Sequence, residues 1–204
     1  MVLKVKKTRE LLLRTAINLF AEKGYADASI REIGIRADIS TSIMYHYFRG
    51  KEDILFEVIT TSSHELMKML EEIRERIQDP VECLIEMLMT HIVHFSLKRR
   101  EETQILAADN HLLTGENRII CRKIQREIYD MYRAQLKIIA DHDLMKNLDP
   151  TVVVFSIFGM INSFYAWYDE KGRLSKEEVA QNILELILHG IIEKKAFSPR
   201  RNLM

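Results

Sequence analysis

Apolar residues recur at helical spacing along almost all of this 204-residue chain, and residues that break helices are rare. Leu12, Ala16 and Leu19 fall on one face of a predicted helix that Gly24 ends. Only 7 glycines and 3 prolines interrupt the 204 residues, which disfavours a turn-rich β fold. The pattern therefore predicts an all-α fold of nine helices without a confident strand.

Start and stop signals set the expected bounds of these helices. Asp79-Pro80 and Asp149-Pro150 each offer a capping carboxylate followed by a proline in the first turn. Ser29–Glu32 and Ser175–Glu178 have the spacing of a capping box. The predicted helices span residues 8–23, 30–37, 41–48, 51–77, 80–98, 102–112, 116–141, 150–170 and 176–195, with a frayed polar tail from Ser198.

The formal net charge of zero hides an uneven distribution. Residues 1–51 contain ten Lys or Arg and five Asp or Glu, a net charge of +5, so the remaining residues carry −5. A basic end on an otherwise acidic chain indicates an anionic partner for that end. Ordinary scatter gives an excess of this size as well, so charge alone leaves both interpretations open.

The sequence lacks the motifs of several other classes of protein. The first ten residues are polar and basic rather than an apolar signal core, and no run of about 18 apolar residues occurs. Cys83 and Cys121 are single and far apart, as expected of reduced thiols in a cytoplasmic protein. Without a phosphate loop, nucleophile elbow, carboxylate dyad or Cys/His ligand set, we predict no enzyme, cofactor, metal or membrane partner.

Residues 29–48 have the pattern of a helix-turn-helix: a short helix, a tight turn at residues 38–40 and a second short helix. A helix pair used only for packing would give the same pattern. The apolar residues expected where the helices cross are Ile30, Ile33, Ala37, Ile39, Ile43 and Phe48. Hydroxyl, aromatic and basic side chains on the outer face suit bases and phosphates. The candidate DNA-contacting residues are Ser29, Ser40, Thr41, Ser42, Tyr45, His46, Tyr47 and Lys51.

Residues 9–56 resemble the N-terminal signature of the TetR (tetracycline-repressor) family. The resemblance rests on Phe20, Gly24, Tyr25, Ser29, Ile30, Ile33, Ala37, Ile39, Ser40, Tyr45, Phe48, Lys51 and Leu55. It implies a homodimeric repressor whose residues 1–50 bind double-stranded operator DNA. Residues 51–204 would form a helical ligand-binding and dimerisation domain. Gly34 replaces a usual alanine and should loosen its helix, and Asp38 replaces a usual glycine.

The C-terminal body is rich in methionine and aromatic side chains, which suit an adaptable pocket but also an ordinary helical core. In the family the effector lies among the fifth to eighth helices. The resemblance therefore makes the following residues candidates for effector contact: His91, Phe95, Arg126, Tyr129, Tyr132, Arg133, Phe158 and Asn162. His91 and His94 share a predicted helical face, but no further ligand for a metal is paired with them.

Residues 159–179 are similar to the end of the eighth helix in TetR-type regulators of fatty-acid and sterol-side-chain breakdown. Those regulators sense acyl-coenzyme A thioesters, so the resemblance implies release of DNA by an acyl-CoA, with arginine or lysine at its phosphates. Hydrophobic drugs or aromatic compounds are the alternative effectors, and a helical adaptor without DNA binding is the alternative function. The residues predicted at a two-fold dimer interface are Ile157, Phe164, Ile183, Ile187 and Ile191.

Overall fold

The structure, a computed structural model, describes residues 2–97 and 99–194, with the side chains of residues 2–6 and 165 left aside. The chain divides into two compact units. The first unit comprises residues 1–64 and 99–124, and the second comprises residues 65–98 and 125–204. The sequence predicts a boundary at residue 50 between a DNA-binding and a ligand-binding domain. This boundary concerns function rather than compactness, and it stays a prediction.

The described residues form helices throughout, and their one β-bridge pairs Met145 with Ile192. The α-helices are α1 (Val2–Lys23), α2 (Ile30–Ala37), α3 (Thr41–Tyr47), α4 (Lys51–Arg76), α5 (Pro80–Met89), α6 (Arg100–Asp109), α7 (Gly115–Asp141), α8 (Pro150–Asn162), α9 (Phe164–Trp167) and α10 (Lys176–Ile191). A π-helical segment, Thr90–Leu97, directly follows α5, and a 3₁₀ turn, Asn110–Leu112, follows α6. The predicted all-α class is confirmed.

The fifth and eighth predicted helices are interrupted, and the sixth changes to a 3₁₀ turn after Asp109. The fifth predicted helix changes from α to π after Met89. The eighth breaks at Ser163, whose hydroxyl donates to the Met160 carbonyl at 2.9 Å and accepts from the Trp167 indole at 3.2 Å. A serine that bonds the preceding turn in this way disturbs a helix. If α8 and α9 are counted together as the eighth predicted helix, the described part of the chain has nine α-helices, as predicted.

The helix caps agree with the sequence in most details. Asp79 and Asp149 each accept two backbone N–H groups at the start of their helices. Ser175 and Glu178 form both halves of the predicted capping box. Ser29 forms only one half, because the Glu32 carboxylate pairs with Lys23 and Arg36 instead of returning to the cap. The predicted tail from Ser198 lies outside the described residues.

The first unit has a single apolar core that holds the helix-turn-helix. Phe20 of α1, Ile33 of α2 and Leu55 of α4 are fully buried in it, together with Ile105 of α6. The Gln104 amide of α6 also donates to the Ala21 carbonyl of α1 at 3.2 Å. Helix α6 therefore supports the helix-turn-helix, although it lies far from residues 29–48 in the sequence.

No helix within residues 2–97 and 99–194 is long and apolar enough to cross a membrane.

Candidate DNA interface and effector site

The turn of the helix-turn-helix is fixed by Asp38 and Gly34. Asp38 adopts the left-handed conformation (φ 55°), as expected for this position. The Ile39 N–H donates to the Gly34 carbonyl at 2.8 Å, and a Cβ on Gly34 would lie only 2.7 Å from the Ile39 carbonyl oxygen. The expectation that Gly34 merely loosens α2 is therefore incomplete, because the turn needs a residue without a Cβ there.

Helix α3 presents a different face to the core from the one the sequence predicts. Met44 is fully buried, whereas Ile43 keeps 47% of its surface exposed. Successive residues of an α-helix point about 100° apart, so both cannot face the core. The placement of Ile43 at the helix crossing was wrong, since Met44 fills that position.

The predicted DNA-contacting residues of α3 lie on its solvent side. Thr41, Ser42 and His46 are exposed, and Tyr45 keeps 58% of its surface exposed. Tyr47 is half-buried, with its ring 5.4 Å from that of His46. The helix thus offers hydroxyl, phenol and imidazole groups to an incoming partner.

Ser29 and Ser40 are exposed residues that cap helices. The Ser29 hydroxyl accepts from the Glu32 N–H at 3.2 Å, and the Ser40 hydroxyl accepts from the Ile43 N–H at 3.4 Å. Each hydroxyl keeps its own proton for a further acceptor, such as a phosphate oxygen. Their predicted contact with DNA is compatible with their capping role.

Lys51 closes the loop between α1 and α2. Its ammonium donates to the carbonyls of Tyr25, Ala26 and Ala28 at 2.6, 3.0 and 2.8 Å, and lies 4.2 Å from the centre of the Tyr25 ring. Burial lowers the pKa of this amine. All three N–H donors therefore have protein acceptors, and contact with a phosphate stays a prediction for this residue.

Glu52 forms an anchor that sequence reasoning missed. Its carboxylate accepts from the Thr114 N–H at 2.9 Å, and from the Thr114 hydroxyl and the Asn117 amide. The Thr114 N–H is the main cause of the lowered pKa of Glu52. Thr114 directly precedes α7, so Glu52 ties the start of α4 to the start of α7. The partners lie 62 and 65 residues away, beyond any local signal.

In the second unit, four predicted effector-contacting side chains form a cluster, which we call the aromatic cluster: His91, Tyr129, Tyr132 and Phe158. The Phe158 ring lies 4.4 Å from that of Tyr129, 5.2 Å from that of His91 and 5.3 Å from that of Tyr132. The contacts with Phe158 are edge-to-face, an arrangement that aromatic rings favour. Three helical segments thus converge on one apolar centre.

The imidazole of His91 and the hydroxyl of Tyr132 form a hydrogen bond inside the aromatic cluster. The Tyr132 hydroxyl donates to the Met87 carbonyl at 3.1 Å, so its oxygen is free to accept from Nδ1–H of His91 at 3.2 Å. Burial lowers the pKa of His91 to about 4 and raises that of Tyr132. Both rings are therefore neutral near pH 7.

The other predicted effector-contacting residues lie in varied surroundings. Phe95 is buried, Asn162 is half-buried and Arg126 is exposed. Arg133 pairs with Asp130 at 2.9 Å.

Among the described residues of the second unit, two buried polar atoms lack a hydrogen-bond partner, Nε of Arg133 and the hydroxyl of Ser96. Unpaired buried polar atoms are uncommon in proteins.

His91 and His94 do not share a face, because His91 is buried and His94 is exposed. The π-helical segment that contains them turns more slowly than an α-helix, so the α-helical spacing does not apply. Among the described residues, no group of three or more His, Cys, Asp or Glu side chains is arranged to hold a metal ion.

An apolar groove of about 340 Å³ runs along α8 and α10. We call it the α8–α10 groove. Val152 and Leu186 flank it with 64% and 69% of their surfaces exposed. Three predicted dimer residues, Ile157, Ile187 and Ile191, line it but are themselves buried.

The remaining two predicted dimer residues are set differently. Ile183 is half-buried, and Phe164 is buried with its ring 5.1 Å from that of Trp167. The dimer interface on these two helices stays a prediction, and the most exposed apolar side chains of α8 and α10 are Val152, Phe155 and Leu186.

A helix-turn-helix on an all-helical body defines a DNA-binding regulator. Residues 12–58 match the family described as bacterial regulatory proteins, tetR family, and residues 73–191 match the tetracyclin repressor-like C-terminal domain. The second match covers more than half of the chain. The chain therefore belongs to the TetR family of transcriptional regulators, as the resemblance of residues 9–56 implied.

Similar proteins are regulators rather than enzymes, in agreement with the sequence. The repressor KstR2 of Mycolicibacterium smegmatis is 25% identical over 193 residues, covering 92% of each chain. The fatty acid metabolism regulator protein of Bacillus subtilis is 24% identical over 195 residues, covering 90% of this chain and 95% of that one. The solved structure of AibR with isovaleryl coenzyme A and operator DNA is 26% identical, with a TM-score of 0.81 over 88% of this chain and 97% of that one.

Proposed function

We propose that this chain is a ligand-responsive repressor that binds operator DNA as a homodimer and leaves it when an acyl-CoA binds. The exposure pattern of α3 carries the DNA-binding part of the proposal. Met44 alone of its residues is buried, and Thr41, Ser42, Tyr45 and His46 remain available to base edges and phosphates. Two such helices in a dimer would enter successive major grooves about one helical turn apart.

The experiment selects binding sites from a random duplex pool and measures affinity for the selected site by fluorescence anisotropy. Tyr45→Ala should weaken binding by about 5- to 150-fold, because a well-placed contact contributes about 1–3 kcal/mol. Trp167→Ala removes an exposed aromatic side chain from the second unit and serves as the control. Affinity of the wild type should fall steeply with salt. Absence of any selected, salt-sensitive site would overturn the proposal.

An acyl-CoA is the effector class that the relatives favour. AibR was solved with isovaleryl coenzyme A, and a relative in Bacillus subtilis is named for fatty acid metabolism. In this chain, the aromatic cluster offers an apolar lining for an acyl chain. Arg133 has a buried Nε without a partner, and Arg126 on the same helix is exposed. Both are suited to phosphate or thioester oxygens.

A melting-temperature screen tests the effector. Acyl-CoAs with chains from two to sixteen carbons, free coenzyme A and a set of aromatic compounds are added to the purified protein. A bound acyl-CoA at 100 times its Kd should stabilise the fold by about 2.7 kcal/mol. Arg126→Gln should weaken that shift, whereas Arg122→Gln, also exposed on α7, should not. If only aromatic compounds raise the melting temperature, the proposed effector is a drug-like aromatic compound instead of an acyl-CoA.

The homodimer is the third part of the proposal. The α8–α10 groove combines buried isoleucines with exposed Val152 and Leu186, and a second copy would cover this apolar surface symmetrically. Leu186→Glu should convert the dimer to a monomer in analytical ultracentrifugation, because it buries a charge at the contact. Leu112→Glu, an exposed leucine of the first unit, is the matched control. A dimer that survives Leu186→Glu unchanged would place the interface elsewhere.

A further inference from the structure

Ile43 is the apolar member of the exposed side of α3. Because Met44 faces the core, Ser42 and His46 point away from it, and Ile43 lies at one edge of this outward face. Its neighbours on that face carry hydroxyl, phenol or imidazole groups. The side chain of Ile43 carries neither a donor nor an acceptor, and the residue keeps 47% of its surface in solvent.

The chemistry of Ile43 restricts what it can recognise. In the major groove of B-DNA the one apolar group on the base edges is the C5-methyl of thymine. Against the amino, N7 or O6 groups of the other bases, an isoleucine would displace water without replacing its hydrogen bonds, which costs free energy. Thymine is therefore the base whose edge this side chain complements.

Resting on the proposed role of α3 as the DNA-reading helix, we propose that Ile43 selects a thymine in each operator half-site by packing against its C5-methyl group. The methyl would cover the exposed part of Ile43, and the neighbouring polar residues would bind polar base edges or phosphates. Ile43 is thus a specificity residue, whereas Met44 is the residue of α3 that fills the core.

The test uses the duplex that the wild type selects from a random pool. Each thymine of the half-site is replaced in turn, in both halves, by deoxyuridine, which lacks only the methyl group. Burial of one such group contributes about 0.8 kcal/mol, which corresponds to about fourfold in affinity per half-site. One thymine should show this loss with wild type and with Ile43→Val. The same replacement should have no effect on Ile43→Ala, which has already lost the contact.

Ile35→Ala is the matched control, because Ile35 is also an exposed isoleucine of the helix-turn-helix but lies on α2. It should keep the wild-type sensitivity to deoxyuridine. Equal sensitivity of wild type and Ile43→Ala at every thymine would overturn the assignment while leaving DNA binding intact. Failure of the wild type to select any duplex would overturn the proposed function together with it.

Discussion

The exposed side of α3 in the first unit and the aromatic cluster of the second unit place their polar side chains in opposite ways. In the first unit, α3 exposes hydroxyl, phenol and imidazole groups and buries Met44 alone. In the second unit, His91 and Tyr132 are buried and hydrogen-bonded to each other. A surface that reads DNA has to offer donors and acceptors to a hydrated polyanion, whereas a site for an apolar effector has to exclude water. The exposure of polar groups therefore distinguishes the proposed DNA-reading surface from the proposed effector site.

The helix-turn-helix and the aromatic cluster also differ in the contacts that hold them in place. The helix-turn-helix depends on the close approach of Gly34 to the Ile39 carbonyl and on the hydrogen bonds of Lys51 to the loop between α1 and α2. Substitutions at these two residues should therefore displace the backbone. The aromatic cluster of the second unit depends on ring packing and one buried hydrogen bond.

Acid should act most strongly on the buried histidine of the second unit. The pKa of folded His91 is about 4, against 6.5 for an ordinary histidine. The unfolded chain therefore binds the proton more tightly, and stability falls as the pH drops from about 6.5 to 4. The loss reaches about 3 kcal/mol at pH 4. Urea unfolding should show that His91→Gln lacks this loss.

His94→Gln controls for the removal of a histidine, because His94 lies exposed on the same segment. Its unfolding free energy should follow the wild-type dependence on pH. If His91→Gln also follows it, the histidine is not buried in its neutral form, and the contrast between the two units fails.

Gly34→Ala tests the backbone constraint of the first unit. The new Cβ would meet the Ile39 carbonyl oxygen at 2.7 Å, so α2 or the turn has to shift. We expect the free energy of unfolding to fall by about 2 kcal/mol, which is within the range for overpacked sites, and DNA binding to weaken. Gly159→Ala is the control, since its Cβ would meet nothing within 4 Å in α8. Helix propensity should make that variant stabler by up to about 1 kcal/mol. A stabilised Gly34→Ala protein would refute the close approach.

Lys51→Met separates a role in the loop from a role at phosphate. Loss of three donors to backbone carbonyls should cost about 1.5 kcal/mol in the free energy of unfolding. Lys68→Met removes an exposed lysine of the same helix and should change stability by less than about 0.5 kcal/mol. If Lys51→Met keeps its stability but reduces the salt slope of DNA binding by about one, Lys51 acts on phosphate instead.

The serine caps of α2 and α10 should show the smallest difference in the free energy of unfolding. Ser175→Ala should cost about 1 kcal/mol, a typical value for an N-cap. Ser29→Ala should cost less, because Ser29 makes one cap bond, whereas the Ser175 hydroxyl also contacts Glu178. Thermal unfolding of both variants in one buffer measures the order. The reverse order would mean that the exposed carboxylate at Glu178 adds nothing to its cap.

Local features of this chain could be read from the sequence alone. The bounds of α2, the start of α3, the left-handed Asp38 and the caps at Asp79 and Asp149 were all predicted correctly. Each depends on hydrogen bonds or steric limits within about four residues, which is the range that a sequence motif describes. The family followed from the same segment, because its signature residues hold one turn and two short helices.

Tertiary structure alone decided which neighbour enters the core and which distant groups meet. Helical periodicity allowed Ile43 or Met44 to face inward, and packing against the rest of the first unit chose Met44. The partners of Lys51 and Glu52 lie tens of residues away, and so does the phenol that holds His91. Contacts of this kind depend on how helices assemble. The sequence of a single helix shows its apolar face but not which distant residues pack against that face.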